Sequence, residues 1–277
     1  MVVLEYNEFM TTVQIVGVLN VTPDSFHDGG KFTTLDAARA QAETMLSEGA
    51  DIIEIGGQSS LNTEFLAVEE EALRVLPVLT ALRKKFPTAR LSVDTMRSDI
   101  AEEAISAGAM MINDVSAGRR DPQMLSVVAT CGVPLVLMYS KDIPPTSIGD
   151  RDYDDVVAHI KDFLSERIEA ALAAGVSREK IIIDPGLGFF ISNNPQYSFQ
   201  ILSHLEEFVA LGFPIFLSPS RKSFLAGPQK LPSSERLPAT IAASAIAVMK
   251  GATYIRTHDV KEVKRGCEVA LSVIHST

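Results

Sequence analysis

Eight short apolar runs, each followed by a longer stretch with helical spacing, constrain this chain more than any other feature. The runs are QIVGVL (14–19), DIIEI (51–55), LSV (91–93), MMI (110–112), PLVLM (134–138), KIIID (180–184), PIFL (214–217) and TYIR (253–256). They are too short for helices and apolar on both faces, as strands of a parallel sheet covered on both sides are. Between them, segments such as 35–49, 68–86 and 153–175 repeat apolar residues at three and four, and several end in glycine. Eight such units in 277 residues predict an α/β fold, a (β/α)8 TIM barrel as a single domain, with the barrel proper over about 13–275. A doubly wound open sheet is the competing architecture. KDIPPTSIGDRD (141–152) reads as a loop between the fifth strand and a long helix, not as a domain boundary.

A formal net charge of −10 argues against a general nucleic-acid or membrane-surface binder, since both need a basic face. Local Arg and Lys clusters can still hold a small anion. Cys131 and Cys267 form no metal-ligand or disulfide spacing. No apolar run reaches the roughly 18 residues of a membrane span, and the N-terminus lacks the basic start of a secretory signal. The expectation is a reduced, cytoplasmic protein.

The polar residues that break the apolar text cluster at strand ends: Asn20, Gln58, Asp94, Asn113, Asp184, Lys222 and His258. In a barrel all strand C-termini meet on one face, where active sites are built. Buried carboxylates need partners. A planar heterocycle with amide-like edges would give donors to Asp94 and Asp184 and a bidentate match to Asn113. The ordinary alternative for each is an N-cap on the following helix.

SPSRKSF (218–224) puts Arg221, Lys222 and Ser223 after the seventh strand, and YIRTHD puts Arg256 and His258 after the eighth. Those two loops are a frequent phosphate site in TIM barrels, which favours an anion site over a solvated helix start. The first loop, NVTPDSFHDGGKF (20–32), is long enough for a lid. The second, GGQSSLNTEF (56–65), opens with two glycines whose backbone can approach a ligand. Both also fit ordinary surface loops, and His27 reads as solvated.

In order and spacing, GVLNVTPDSFHDGG, ADIIEIGGQSS, SVDT, INDV, IDPGLGF, SRKSF and IRTHDV resemble the signature segments of dihydropteroate synthases, from about Gln14 to Val260. The resemblance implies that p-aminobenzoate is joined to a dihydropterin diphosphate with loss of pyrophosphate, in an SN1-like displacement with Mg2+. It implies that Asp94, Asn113, Asp184 and Lys222 hold the pterin, with Met138 and Phe189 packed around it. Asn20, Arg256 and His258 would hold the diphosphate, with Mg2+ near Asn20, while Ser60, Ser223 and the first two loops would frame the p-aminobenzoate. It also implies a homodimer, for which the apolar segment ATIAASAIAVMKG (239–251) is the candidate surface; burial between neighbouring helices fits that segment too.

The pattern departs from the family at three places. GGESTRPG becomes GGQSSLNT, with Leu61 and Asn62 for Arg and Pro. MHM becomes Met138-Tyr139-Ser140, and GFGKT becomes Gly188-Phe189-Phe190-Ile191-Ser192, without its Lys. GQSS and DPGLGFFIS resemble the sulfonamide-insensitive plasmid-borne branch, whereas NDVSAGRRDPQM resembles ordinary chromosomal enzymes. Two competing functions are a pterin-binding protein without catalysis and methyl transfer from a folate to a corrinoid partner. The intact pterin and diphosphate positions favour the synthase.

Overall fold

The computed structural model describes residues 12–21, 31–58, 66–143 and 150–276. Along them run β1 (Gln14–Asn20), α1 (Lys31–Ser47), β2 (Ile52–Gly56), α2 (Val68–Lys85), β3 (Arg90–Asp94), α3 (Ser98–Ser106) and β4 (Met111–Asp114). Then come α4 (Met124–Cys131), β5 (Leu135–Met138), α5 (Val156–Ala173), β6 (Ile181–Asp184), α6 (Pro195–Ser203) and α7 (Leu205–Val209). The chain ends with β7 (Ile215–Leu217), α8 (Leu237–Met249), β8 (Ala252–Thr257) and α9 (Val260–Ile274). Each strand pairs in parallel with the next, and β8 returns to β1, so the sheet closes into a barrel. The (β/α)8 expectation holds, and the open sheet is excluded.

The strands are apolar on both faces because each face meets a different core. Outward residues such as Ile15, Ile53, Leu91, Leu137 and Ile183 pack under the helices in one large cluster. Burying each such side chain contributes about 1.5–3 kcal/mol. Inward residues Val16, Ile52, Met111, Val136, Ile182 and Phe216, with Tyr254 against them, fill the lower barrel. Two residues further along the strands the interior changes chemistry.

Register sets what the upper barrel presents. Asn20 pairs with Gly56, Gly56 with Asp94, Asp94 with Asn113, and Met138 with Asp184. Paired residues of a parallel sheet face the same side, so these positions line the C-terminal mouth. None of these acidic or amide residues at the mouth is the N-cap of the helix that follows it. The N-caps of α3, α4 and α6 are Arg97, Gln123 and Asn194, which removes the capping reading of Asp94, Asn113 and Asp184.

Candidate active site

Just below the mouth lies Glu54, wholly buried in the middle of β2. A carboxylate there is tolerable only if paired, and it is. Arg256 Nε donates to Glu54 Oε1, and Arg256 Nη2 donates to Asp94 Oδ2 at 3.2 Å. Asn113 Nδ2 donates to Glu54 Oε2 at 3.2 Å, and Ser92 Oγ to the same oxygen at 3.4 Å. β2, β3, β4 and β8 thus share one buried polar network. Burial costs the Arg256 guanidinium some basicity, but Glu54 and Asp94 more than restore it, so it stays charged.

Asp184 stands across the mouth, its Oδ1 accepting from Gly186 N at 2.7 Å. Gly186 has φ 74°, and a Cβ there would sit 2.6 Å from the Tyr139 carbonyl oxygen, so only glycine makes this turn. Burial pushes the Asp184 carboxyl up to about 7, against the pull of the Gly186 N–H and of Lys222. Asp94 is likewise pushed up to about 7, by burial and then by Glu54, with Arg256 opposing. Lys222 is pushed down to about 8 by burial, with Asp184 opposing. These shifts mark a desolvated cluster whose protonation is poised near neutrality.

Apolar surface completes the pocket. Val115, Met138 and Phe190 form a small cluster with Met96 and Phe189 against it. Lys222 Nζ lies 4.7 Å from the Phe190 ring centre and 5.7 Å from that of Phe189. Asn20 ends β1 beside Gly56, where a Cβ would come within 3.5 Å of its Oδ1. His258 is exposed at the rim, its N–H bonded to Ser220 Oγ at 3.1 Å. Partial desolvation, then the charge of Arg256, holds its imidazole below the usual pKa.

Asn20, Asp94, Asn113, Met138, Asp184, Phe189, Lys222 and Arg256 therefore all stand at or just inside the mouth. Ser223 is exposed at the start of a 3-10 turn beyond it. Ser60 and most of the first two loops lie outside the described residues. One expectation is corrected: Arg221 does not join the cations of the pocket. Its Nε and Nη2 grip both oxygens of Asp259, at 2.8 and 2.5 Å, because its backbone is left-handed at φ 53° and turns the side chain towards α9. Arg256 is also inside β8 rather than after it, and its first partners are carboxylates. Glu54 was the residue that motif reading missed. A lone charge within the apolar run DIIEI was its signal.

A wall of acceptors facing a lysine, floored by a buried arginine, suits a flat heterocycle with N–H groups along one edge and a carbonyl on the other. The class defined is a barrel enzyme that binds such a ring at its C-terminal mouth. A family model described as pterin binding enzyme matches residues 16–258. The dihydropteroate synthase of Bacillus subtilis is 39% identical over 252 residues, covering 91% of this chain and 85% of the relative. A structure of Xanthomonas albilineans dihydropteroate synthase with 4-aminobenzoic acid superposes with TM-score 0.86 at 38% identity, covering 96% and 93% of the two chains. Another of that enzyme, in complex with 7,8-dihydropteroate, gives 0.83 at 38% identity, covering 96% and 94%. The chain belongs to the pterin-binding enzymes and, among them, to the dihydropteroate synthases.

Proposed function

We propose that this chain condenses p-aminobenzoate with (7,8-dihydropterin-6-yl)methyl diphosphate to give 7,8-dihydropteroate and pyrophosphate, a step in folate biosynthesis. The observation that carries the reading is the gathering of the acceptors Asp94, Asn113 and Asp184 with the donor Lys222 round one mouth. The printed ligands of the Xanthomonas structures, 4-aminobenzoic acid and 7,8-dihydropteroate, support the same substrate and product.

No described residue reads as a covalent nucleophile, and the reaction needs none. The C–O bond to the diphosphate breaks with its electron pair leaving on pyrophosphate. The resulting CH2 cation is stabilised by the electron-rich dihydropterin, and the aniline nitrogen then bonds to it and loses a proton. Asp94, Asn113, Asp184 and Lys222 hold the ring, while Met138 and Phe189 exclude water from it. Arg256 neutralises charge on the leaving group and His258, as a neutral imidazole, donates a hydrogen bond to it, and Ser60 and Ser223 frame the p-aminobenzoate.

Mg2+ prefers hard oxygen ligands and commonly takes few from protein when a substrate phosphate supplies the rest. Asn20 Oδ1, at the mouth beside the space left by Gly56, fits that role. When bound there, Mg2+ would neutralise the diphosphate oxygens. The activity is tested by following pyrophosphate release with both substrates and Mg2+. Release that depends on p-aminobenzoate supports the reading; pterin binding without release would overturn it in favour of a non-catalytic relative.

No described helix is long and apolar enough to cross a membrane, and we place the enzyme in the cytoplasm with its small-molecule substrates. We also propose a homodimer. α6 and α8 leave a groove of about 740 Å³ containing Phe199 and Ile246, which are 43% and 46% exposed. Exposed apolar surface of this kind marks an association face.

A further inference from the structure

Glu71, in the first turn of α2 and only 4% exposed, is a buried carboxylate with no part in the chemistry above. We propose that its partner Arg97 is a positioning residue for p-aminobenzoate: held by Glu71, and together with Arg74, it fixes the two points where the second loop leaves and rejoins the barrel. The inference rests on the condensation proposed above.

A buried carboxylate has to be paired, and the partners of Glu71 show what it holds. Its Oε1 accepts from Thr95 Oγ1 at 2.7 Å, just past the end of β3, and its Oε2 meets Arg97 Nε at 3.0 Å. Burial raises the Glu71 pKa, while Thr95 and Arg97 pull it back. Another arm of Arg97 reaches further: Nη2 donates to the carbonyl of Leu66, two residues before α2. Ala67 caps that helix without a side-chain bond, so the turn into α2 is held from the next strand–helix unit instead. At the other foot, Arg74 Nη1 donates to the carbonyl of Gly57 at 3.1 Å, one residue past β2. A Cβ on Gly57 would lie 2.8 Å from Val75 Cγ2 and 3.2 Å from Glu71 Cγ, so the chain is pressed there directly on α2. Glu71, Arg74 and Val75 share one face of that helix. Glu71 thus meets one foot of the loop directly and the other through Arg97.

What stands above those feet decides which substrate feels them. In register, Gly56 is level with Asn20 and Asp94, so the loop leaves from the rim, beyond the residues that hold the ring. Residues 58–65, QSSLNTEF, contain one Glu and no Lys or Arg, so they offer a diphosphate no counter-charge. The reactant left for them is p-aminobenzoate, already assigned to Ser60. A guanidinium suits the anchoring, because its planar fork serves two acceptors at once where an ammonium is a single point charge. Fixing a loop before its ligand arrives lowers the ordering cost of binding.

Steady-state kinetics in p-aminobenzoate, at saturating dihydropterin diphosphate and Mg2+, test this on wild type, Arg97→Met and Arg97→Lys. Calorimetric Kd values for 6-hydroxymethyl-7,8-dihydropterin, measured without p-aminobenzoate, report the ring separately. Arg97→Met keeps the apolar stem and loses the fork, so its KM for p-aminobenzoate should rise about tenfold or more, the worth of a hydrogen bond to a charged group. Its kcat and its pterin Kd should stay within about threefold of wild type, as when binding is lost equally from ground and transition states. Arg97→Lys keeps a charge beside Glu71 but cannot also serve Leu66, so its KM should stay raised by about fivefold or more. An ion pair with a purely structural role would be restored by the lysine. If Arg97→Met does not fold, Arg74→Met frees the Gly57 foot and decides, with KM raised in the same direction. A wild-type KM in Arg97→Lys or in the methionine variant, or a pterin Kd that weakens in step with KM, would overturn the proposal. Wild type that forms no dihydropteroate would instead overturn the condensation reading beneath it.

Discussion

Ile191 occupies the position where the family's loop after β6 carries a lysine, and it is fully buried in the main core. Its carbonyl accepts from Tyr153 Oη at 2.9 Å, and Tyr153 Oη lies 2.9 Å from Tyr139 Oη. Tyr139 is itself the departure from the family's histidine after β5. Its ring stacks edge-on against Phe163 at 5.0 Å, behind the barrel and away from the mouth. Two departures that look unrelated in sequence thus meet in one packed cluster, and neither side chain lines the pocket. Ile191→Lys should therefore lower stability by about 3–5 kcal/mol, as an unpaired buried charge does, without raising turnover. Urea denaturation beside a rate measurement checks both. The pocket residues carry a pH prediction. In the proposed mechanism Asp184 and Asp94 accept ligand N–H groups through both oxygens only when deprotonated, so kcat/KM should rise with pH through about 7. It should fall above about 8 as Lys222 loses its proton. The sign for stability is opposite: carboxyls whose folded pKa lies above 3.8 bind more protons folded than unfolded, so their contribution to stability declines between about 4 and 7.

At the scale of elements, the strands were legible because a parallel strand buried on both faces can hardly be written in any other residues. All eight runs fall on strands, with ends shifted by a residue or two. The mouth residues were legible for a related reason: a polar residue ending an apolar run has to be explained. What escaped was set by geometry that spacing does not encode. Glu54 sits inside a run rather than at its end, and its partners are 38 to 202 residues away. Arg221 reads as a pocket cation until its left-handed backbone is seen. Such a conformation costs a non-glycine residue about 1–2 kcal/mol, and the bidentate grip on Asp259 offsets it. The clasp joins the loop bearing Lys222 to the loop bearing His258. Asp259→Asn should cost about 1.5–3 kcal/mol of stability, the range for hydrogen bonds to charged groups. It should also lower kcat, because Lys222 and His258 would no longer be held in register. Thermal unfolding with steady-state kinetics tests this, and an unchanged kcat would make the clasp purely structural.

For the molecule as a whole, a charge of −10 is compatible with the anionic substrate proposed above because two cations, Arg256 and Lys222, are held at the barrel mouth. Arg256 and Lys222 come from two adjacent strands and their loops, and they share the mouth with Glu54, Asp94 and Asp184. The exposed apolar side chains of α8 are where the proposed homodimer would form. Ile246→Glu, well outside the mouth, should shift the sedimentation of the protein to that of a monomer, and an unchanged wild-type-like dimer would move the interface elsewhere. The account as a whole turns on whether this mouth performs the condensation with the departures it carries. The most direct measurement is dihydropteroate formation by wild type and by Lys222→Ala, with p-aminobenzoate, the dihydropterin diphosphate and Mg2+. Product from wild type and a loss of about a hundredfold or more in the variant are expected, the scale of a charged contact made to the reacting ring. No product from wild type, or equal rates from both, would contradict it.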